Sequence, residues 1–203
     1  MSKKWMPRGY AEEVRAYELP EDSESLYIEG YALRYNTPSL RLYHPKFGEF
    51  TEIIAPGALR NTDLSDVKAT DNHGRIFART RLKDKPGGLE LTVDDVGLFY
   101  RARLSKKSTR NMDFYEDVKD GLYHGSSFEF IVPPEGQMFD KKTRIRTLND
   151  IAVIRDVSPV YDPAYTQSTV EARSAFEMEI DEAQRALESA ELQKRRIILL
   201  SQL

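Results

Sequence analysis

Leu89-Glu90-Leu91-Thr92-Val93-Asp94-Asp95-Val96-Gly97-Leu98-Phe99-Tyr100-Arg101-Ala102-Arg103-Leu104 decides the fold class. Two runs rich in aliphatic and aromatic residues flank Asp94-Asp95-Val96-Gly97, a short polar stretch ending in glycine, and that combination spells a β-hairpin. The pattern extends outward in both directions. Leu26-Tyr27-Ile28-Glu29-Gly30-Tyr31-Ala32-Leu33 reads as a strand stopped by Asn36-Thr37-Pro38-Ser39. Phe50-Thr51-Glu52-Ile53-Ile54 reads as another, closed by Pro56-Gly57, and Asp66-Val67-Lys68-Ala69-Thr70 runs towards His73. After the hairpin a helix is expected, with Ser108 or Thr109 as its N-cap, Met112, Tyr115 and Val118 on one face, and Gly121 at its end. Two further strands span Gly125 to Val132 and Ile151 to Val160, the second interrupted late by Pro159. Many short strands with an interleaved helix predict a mainly β protein with flanking helices, built as a closed or nearly closed β-barrel.

Beyond residue 166 the pattern changes. Phe176, Ile180, Ala183, Leu187, Ala190, Lys194 and Ile197 recur at spacings of four and three, which predicts a C-terminal amphipathic helix. Acidic residues crowd its start and basic ones its end, as the helix dipole favours. Such a helix either packs on the barrel or docks elsewhere. The expected organisation is an N-terminal arm over 1–25, a β-barrel domain over 26–166, and a connector with helical tail over 167–203.

Composition narrows the function. The chain has 203 residues, 40% hydrophobic and 31% charged, enough for one well-buried domain with an appendage. A net charge of −3 gives no polycationic surface, so a direct nucleic-acid role is not expected. There is no cysteine, which excludes a thiol nucleophile, disulfides and thiolate metal sites. Only His44, His73 and His124 are available as imidazole ligands, and no metal or other cofactor is implied. Met1-Ser2-Lys3-Lys4-Trp5 leads into charged residues without an apolar core, unlike a signal peptide. No apolar run approaches the ~20 residues that cross a membrane. The expectation is a cytosolic protein.

Three polar stretches carry possible chemistry. Asp71-Asn72-His73-Gly74-Arg75 offers a histidine, Gly125-Ser126-Ser127-Phe128-Glu129-Phe130 offers two serines, and Asp156-Val157-Ser158-Pro159-Val160 offers a carboxylate. A serine hydroxyl is a weak nucleophile at neutral pH, so hydrolysis by serine needs a base in contact and a third group to orient that base. All three residue types are present beside expected strands. Taken singly, each has an ordinary structural reading: a solvated loop histidine, small strand residues, a strand-end charge. In a strand His124 would share a face with Ser126 and not with Ser127, which makes it a neighbour and not the base.

Taken together, these stretches place the chain beside a known family. Gly30-Tyr31-Ala32, Phe50 to Leu59, His73 with Ala78-Arg79-Thr80, Leu89-Glu90-Leu91, Gly97-Leu98, Gly125 to Phe130, Asp156 to Val160 and Pro163-Ala164-Tyr165 occur in one order. That series resembles the prohead serine proteases of tailed bacteriophages, distant relatives of the herpesvirus assemblins, over roughly residues 26 to 166. The resemblance implies an assemblin-like β-barrel and a serine endopeptidase of capsid maturation. It implies His73 as the base, Ser127, just before Phe128, as the nucleophile, and Asp156 as the acidic member. It also implies a homodimer acting in the host-cell cytoplasm, inside the assembling procapsid. The partners it implies are the major capsid protein and its scaffold segment, with neither membrane nor nucleic acid involved. Three positions depart from the pattern: Ser126 where a larger apolar residue is commoner, Glu129 where glycine is usual, and Asp156 where glutamate is frequent. The competing reading is a non-enzymatic capsid-assembly protein with a barrel and a scaffold-like helix.

Overall fold

The computed structural model describes residues 14–44, 48–123 and 125–161, and among them the chain runs as twelve strands and one α-helix. In chain order these are β1 (Arg15–Leu19), β2 (Asp22–Arg34), β3 (Leu42–His44), β4 (Gly48–Ile54), β5 (Lys68–Asp71), β6 (Arg75–Arg79), β7 (Leu89–Val93) and β8 (Gly97–Ser105). They continue with α1 (Thr109–Lys119), β9 (Gly125–Ile131), β10 (Gln137–Asp140), β11 (Ile145–Leu148) and β12 (Val153–Val160). The expected tail helix and connector, His124, and residues 1–13 of the expected arm lie outside the described residues. The remainder of that arm supplies β1, paired with β2, and the start of β2 itself.

The hairpin forms as its sequence predicts. β7 and β8 pair from Leu89–Ala102 to Val93–Leu98. Asp94 organises the turn: its Oδ1 accepts the amides of Val96 at 2.8 Å and Gly97 at 2.9 Å, while Oδ2 accepts the Tyr31 hydroxyl at 2.7 Å. Burial pushes this carboxyl up, but those three donors and the neighbouring Arg34 hold it below the usual range. Gly97 is required at its position, because a Cβ there would lie 2.0 Å from the Leu33 carbonyl oxygen. Leu98, Tyr100, Ala102 and Leu104 alternate along β8 and are fully buried. Each buried leucine contributes ~1.5–3 kcal/mol through removal of apolar surface from water. With Leu26, Ile28, Leu89, Ile151, Ile154 and Val157 they form one core.

Helix α1 obeys its caps. The Ser108 side chain accepts the Asn111 amide, satisfying an orphan donor of the first turn. Phe114, Tyr115 and Val118 are buried together, and Met112 packs against the core beside them. Gly121 ends the helix with φ 80°, a left-handed conformation that costs other residues energy.

Closure into a barrel is not found. Among the described residues the strands form three four-stranded sheets, β1-β2-β8-β7, β10-β11-β4-β3 and β6-β5-β12-β9. Isolated bonds, not ladders, join them at the corners: Asn36 N to Ile54 O at one, Arg79 N to Gly87 O at another. The sequence explains the breaks. Asn36 takes φ 54° ahead of Pro38, and Pro133-Pro134 follows β9 with no amide to donate, so neither strand can extend into the next sheet. Among the described residues one α-helix, not several, flanks the strands.

The third sheet positions the candidate site residues. β12 lies at its centre, parallel to β5 and antiparallel to β9. The parallel contact brings residues 68–71 beside residues 156–158, and so carries the histidine stretch to the acidic one.

Candidate active site

Two adjacent serines on β9 face opposite ways, and the ladder decides between them. Ser127 lies opposite Ser158 and Glu129 opposite Asp156, while Ser126 lies opposite Pro159 and Phe128 opposite Val157. Directly opposed residues share a face. Ser126 therefore points into the core, where its hydroxyl bonds the Tyr100 hydroxyl at 3.0 Å. Burial pushes the Tyr100 phenol well above its usual range, so this is a neutral hydrogen bond at neutral pH. Ser127 and Glu129 share the other face with Asp156 and Ser158.

Asp156 reaches that face through an irregularity. The β12–β9 register shifts between Ile154 and Asp156, leaving Arg155 as the extra, exposed residue. Ile154 and Val157, three apart, both enter the core. In an unbroken strand residues two apart share a face, so Asp156 would have joined Ile154 inside. The bulge reverses the parity and turns the carboxylate outward beside Ser158.

His73 follows β5 in a tight turn to β6. Asn72 and His73 both have left-handed backbones, φ 46° and 57°, a cost of ~1–2 kcal/mol each that surrounding contacts must offset. Those contacts come from β12. The His73 amide donates to Ser158 Oγ at 2.9 Å, and the Asn72 amide donates to the Pro159 carbonyl at 3.1 Å. Ser158 Oγ donates its own proton to the Thr70 carbonyl at 2.7 Å. The turn is thus fixed to the strand that carries Asp156.

The side chains then meet. His73 Nδ1 lies 3.1 Å from Asp156 Oδ1 and 3.2 Å from Oδ2. Asp156 also accepts Thr70 Oγ1 at 3.0 Å on Oδ2 and the Glu129 amide at 3.2 Å on Oδ1. The side chains of His73 and Asp156 are only 4% and 6% exposed, so the contact is sheltered from competing water and its electrostatics are stronger than at a surface. Donors on both oxygens fix the carboxylate in direction.

Of the three residues expected from the sequence, the fold joins His73 to Asp156 directly. It sets Ser127 on the same face of the same sheet, opposite the serine that anchors the His73 backbone. Thr70 and Ser158 are participants that residue-type reasoning overlooked; Ser158 lies two residues beyond Asp156, the spacing of one strand face. A further chain of bonds supports the turn from the other side. Tyr123 donates to Asp71 Oδ1 at 2.6 Å and contacts the Tyr161 hydroxyl at 2.6 Å. Burial first, then those two hydrogen bonds, push the Tyr123 phenol far up. Arg75 Nη1 donates to Asn111 Oδ1 at 3.1 Å, tying the turn to α1. His73, Glu129 and Asp156 are also the one group among the described residues that presents three cation-ligating side chains together, each offering an atom within 4.8 Å of the others.

Arranged this way, a serine, an imidazole and an oriented carboxylate suit acyl transfer. No helix among the described residues is long and apolar enough to cross a membrane. No curated protein and no solved structure matches the chain significantly. A family model does: that of the caudovirus prohead serine protease, matched over residues 12–184. The match spans the helix, all twelve strands and every residue of the site, and the chain belongs to the caudovirus prohead serine protease family.

Proposed function

We propose that the chain is a serine endopeptidase in which Ser127 is the nucleophile, His73 the general base and Asp156 the residue that orients it. Ser127 Oγ attacks the scissile carbonyl while the imidazole takes its proton. Because Nδ1 is engaged with Asp156, the proton goes to Nε2. The imidazolium, stabilised by the adjacent carboxylate, returns that proton to the leaving amine as the tetrahedral intermediate collapses to an acyl-enzyme. Water, deprotonated by the same imidazole, then releases the acid product. The mechanism draws on no cofactor.

The observation that carries this reading is the His73–Asp156 contact on the face occupied by Ser127 and not by Ser126. Family membership supports a setting inside the assembling procapsid, in the host-cell cytoplasm; we extend this to a homodimer cleaving scaffold or the scaffold segment of the major capsid protein. A fluorophosphonate probe, which reacts only with an activated serine, tests the chemistry. Labelling of the full chain should be lost in Ser127→Ala, and co-expressed capsid protein should keep its scaffold segment. A wild-type chain that resists the probe and leaves its scaffold uncut would instead mark a non-enzymatic capsid-assembly protein.

A further inference from the structure

Glu129 has no part in the mechanism above, yet it is placed against its centre. It stands two residues after Ser127 on the same face of β9, opposite Asp156 in the ladder, and its amide holds Asp156 Oδ1. Its carboxylate, a carboxylate oxygen of Asp156 and a ring nitrogen of His73 all fall within 4.8 Å of one another. Three features of this group match the needs of a divalent transition-metal ion. The donors are one imidazole and two carboxylates, the mixed nitrogen and oxygen set that zinc accepts at bond lengths of ~2.0–2.2 Å. Ligands around such an ion stand ~3–4 Å apart, which small side-chain rotations reach from the observed spacing. The charges also balance, since two carboxylates and a neutral imidazole neutralise a dication in a site largely closed to water. Other charged groups around the trio are Lys68, the neighbour of Asp156 on β5, and Asp71 and Arg75, which flank the histidine turn. Arg75 is engaged with Asn111 and Asp71 with Tyr123.

We propose that His73, Glu129 and Asp156 form a site for a divalent ion of the zinc class whose occupancy switches proteolysis off. The switching half of this inference rests on the serine-protease reading; the binding half does not. Inhibition follows from the ring chemistry whichever nitrogen binds. A metal on Nε2 consumes the lone pair that would accept the Ser127 proton. A metal on Nδ1 replaces the proton shared with Asp156 and leaves the remaining ring proton on Nε2, so the face towards the serine again has no base. Glu129 is one of the positions where the chain departs from the family resemblance, which has glycine there as the usual residue.

The test separates the two halves. Zinc chloride is titrated calorimetrically into full-length Ser127→Ala protein, which cannot cut itself. The expected result is one saturable ion per chain, with affinity about tenfold or more lower when Glu129→Gln or Asp156→Asn is added. Thermal unfolding of each variant without zinc confirms that it is folded. In the wild-type chain, fluorophosphonate labelling should fall with added zinc and return with a chelator. Glu129→Gln, referred to its own zinc-free labelling, should need about tenfold more zinc for the same fractional loss. Absence of saturable zinc binding, or equal affinity in a folded Glu129→Gln variant, overturns the site. Zinc binding at the trio in a chain that never labels keeps the site and removes the protease; labelling indifferent to saturating zinc removes the switch.

Discussion

Asp156→Asn isolates what the carboxylate charge does, because the geometry foretells how the amide will sit. The Glu129 amide donates to Oδ1, so the asparagine carbonyl oxygen takes that place and its NH2 replaces Oδ2. There it meets Thr70 Oγ1, now 3.0 Å from Oδ2, and a hydroxyl can rotate to accept instead of donate. The fold therefore keeps its hydrogen bonds, and stability should change by no more than ~1 kcal/mol. His73 fares differently. Its Nδ1, almost equidistant from the two oxygens, comes to lie between a carbonyl and an NH2 group, and the preference for a proton on Nδ1 is lost. The charge-assisted bond to the imidazolium, worth ~1.5–3 kcal/mol, disappears as well. Together the two losses amount to ~3–5 kcal/mol of activation free energy, a fall of roughly 10²–10⁴-fold in acylation rate. The assay is the pseudo-first-order rate of fluorophosphonate labelling at pH 8, with a thermal melt on the same samples. A variant with an unchanged melt and a labelling rate within tenfold of wild type refutes the role given to Asp156.

The remaining predictions concern the other serine and the hairpin turn. Ser126→Ala removes the partner of a buried tyrosine hydroxyl, so it should cost ~1–2 kcal/mol in denaturant titration while retaining most of the labelling; complete loss of labelling in a folded Ser126→Ala chain would reverse the choice of nucleophile. Asp94→Ala strips three donors of their acceptor and should cost ~1–3 kcal/mol at pH 7. Because the folded carboxyl titrates below its unfolded value, that stabilisation is present at neutral pH and fades as the pH falls from ~4 towards the folded value. The gap between wild type and Asp94→Ala should therefore narrow in acid, and a gap that widens there would show the turn is not held by the ionised group.

Local order is the legible part of the fold. Asp94, through the Val96 and Gly97 amides, and Ser108 and Gly121, through the helix ends, act within a few residues of themselves, and each does what its chemistry requires. β10 and β11 escape a reading of the sequence because their turn, Asp140 to Arg144, lacks glycine and proline; Asp140 instead caps the Lys142 and Thr143 amides, with Arg144 at φ 62°. β11 also hides a fully buried arginine, Arg146, paired with Glu52 at 2.8 Å, which interrupts any apolar signal. The expected barrel closure fails because closure depends on which edges meet, and the parallel pairs β4–β11 and β5–β12 join segments some ninety residues apart. At the site, residue types and order point to His73 and Asp156. Alternation separates Ser126 from Ser127 without saying which is inward, since that depends on Tyr100, which waits on another strand. The bulge at Arg155 leaves no local mark at all.

The anchoring of the histidine turn on β12 has a consequence for tolerance to error. Asp156 and Ser158 are two residues apart on one strand; the first holds the imidazole, the second holds its backbone and faces Ser127 across the ladder. The imidazole and Ser127 are thus both measured from a single ruler. A disturbance that shifts or tilts β12 carries both with it, so their separation changes far less than their position, as a common offset cancels in a difference. Only distortion between β12 and β9, or within residues 70–74, enters the separation at first order. Drift elsewhere in the domain, including the open corners between sheets, can accumulate without touching it.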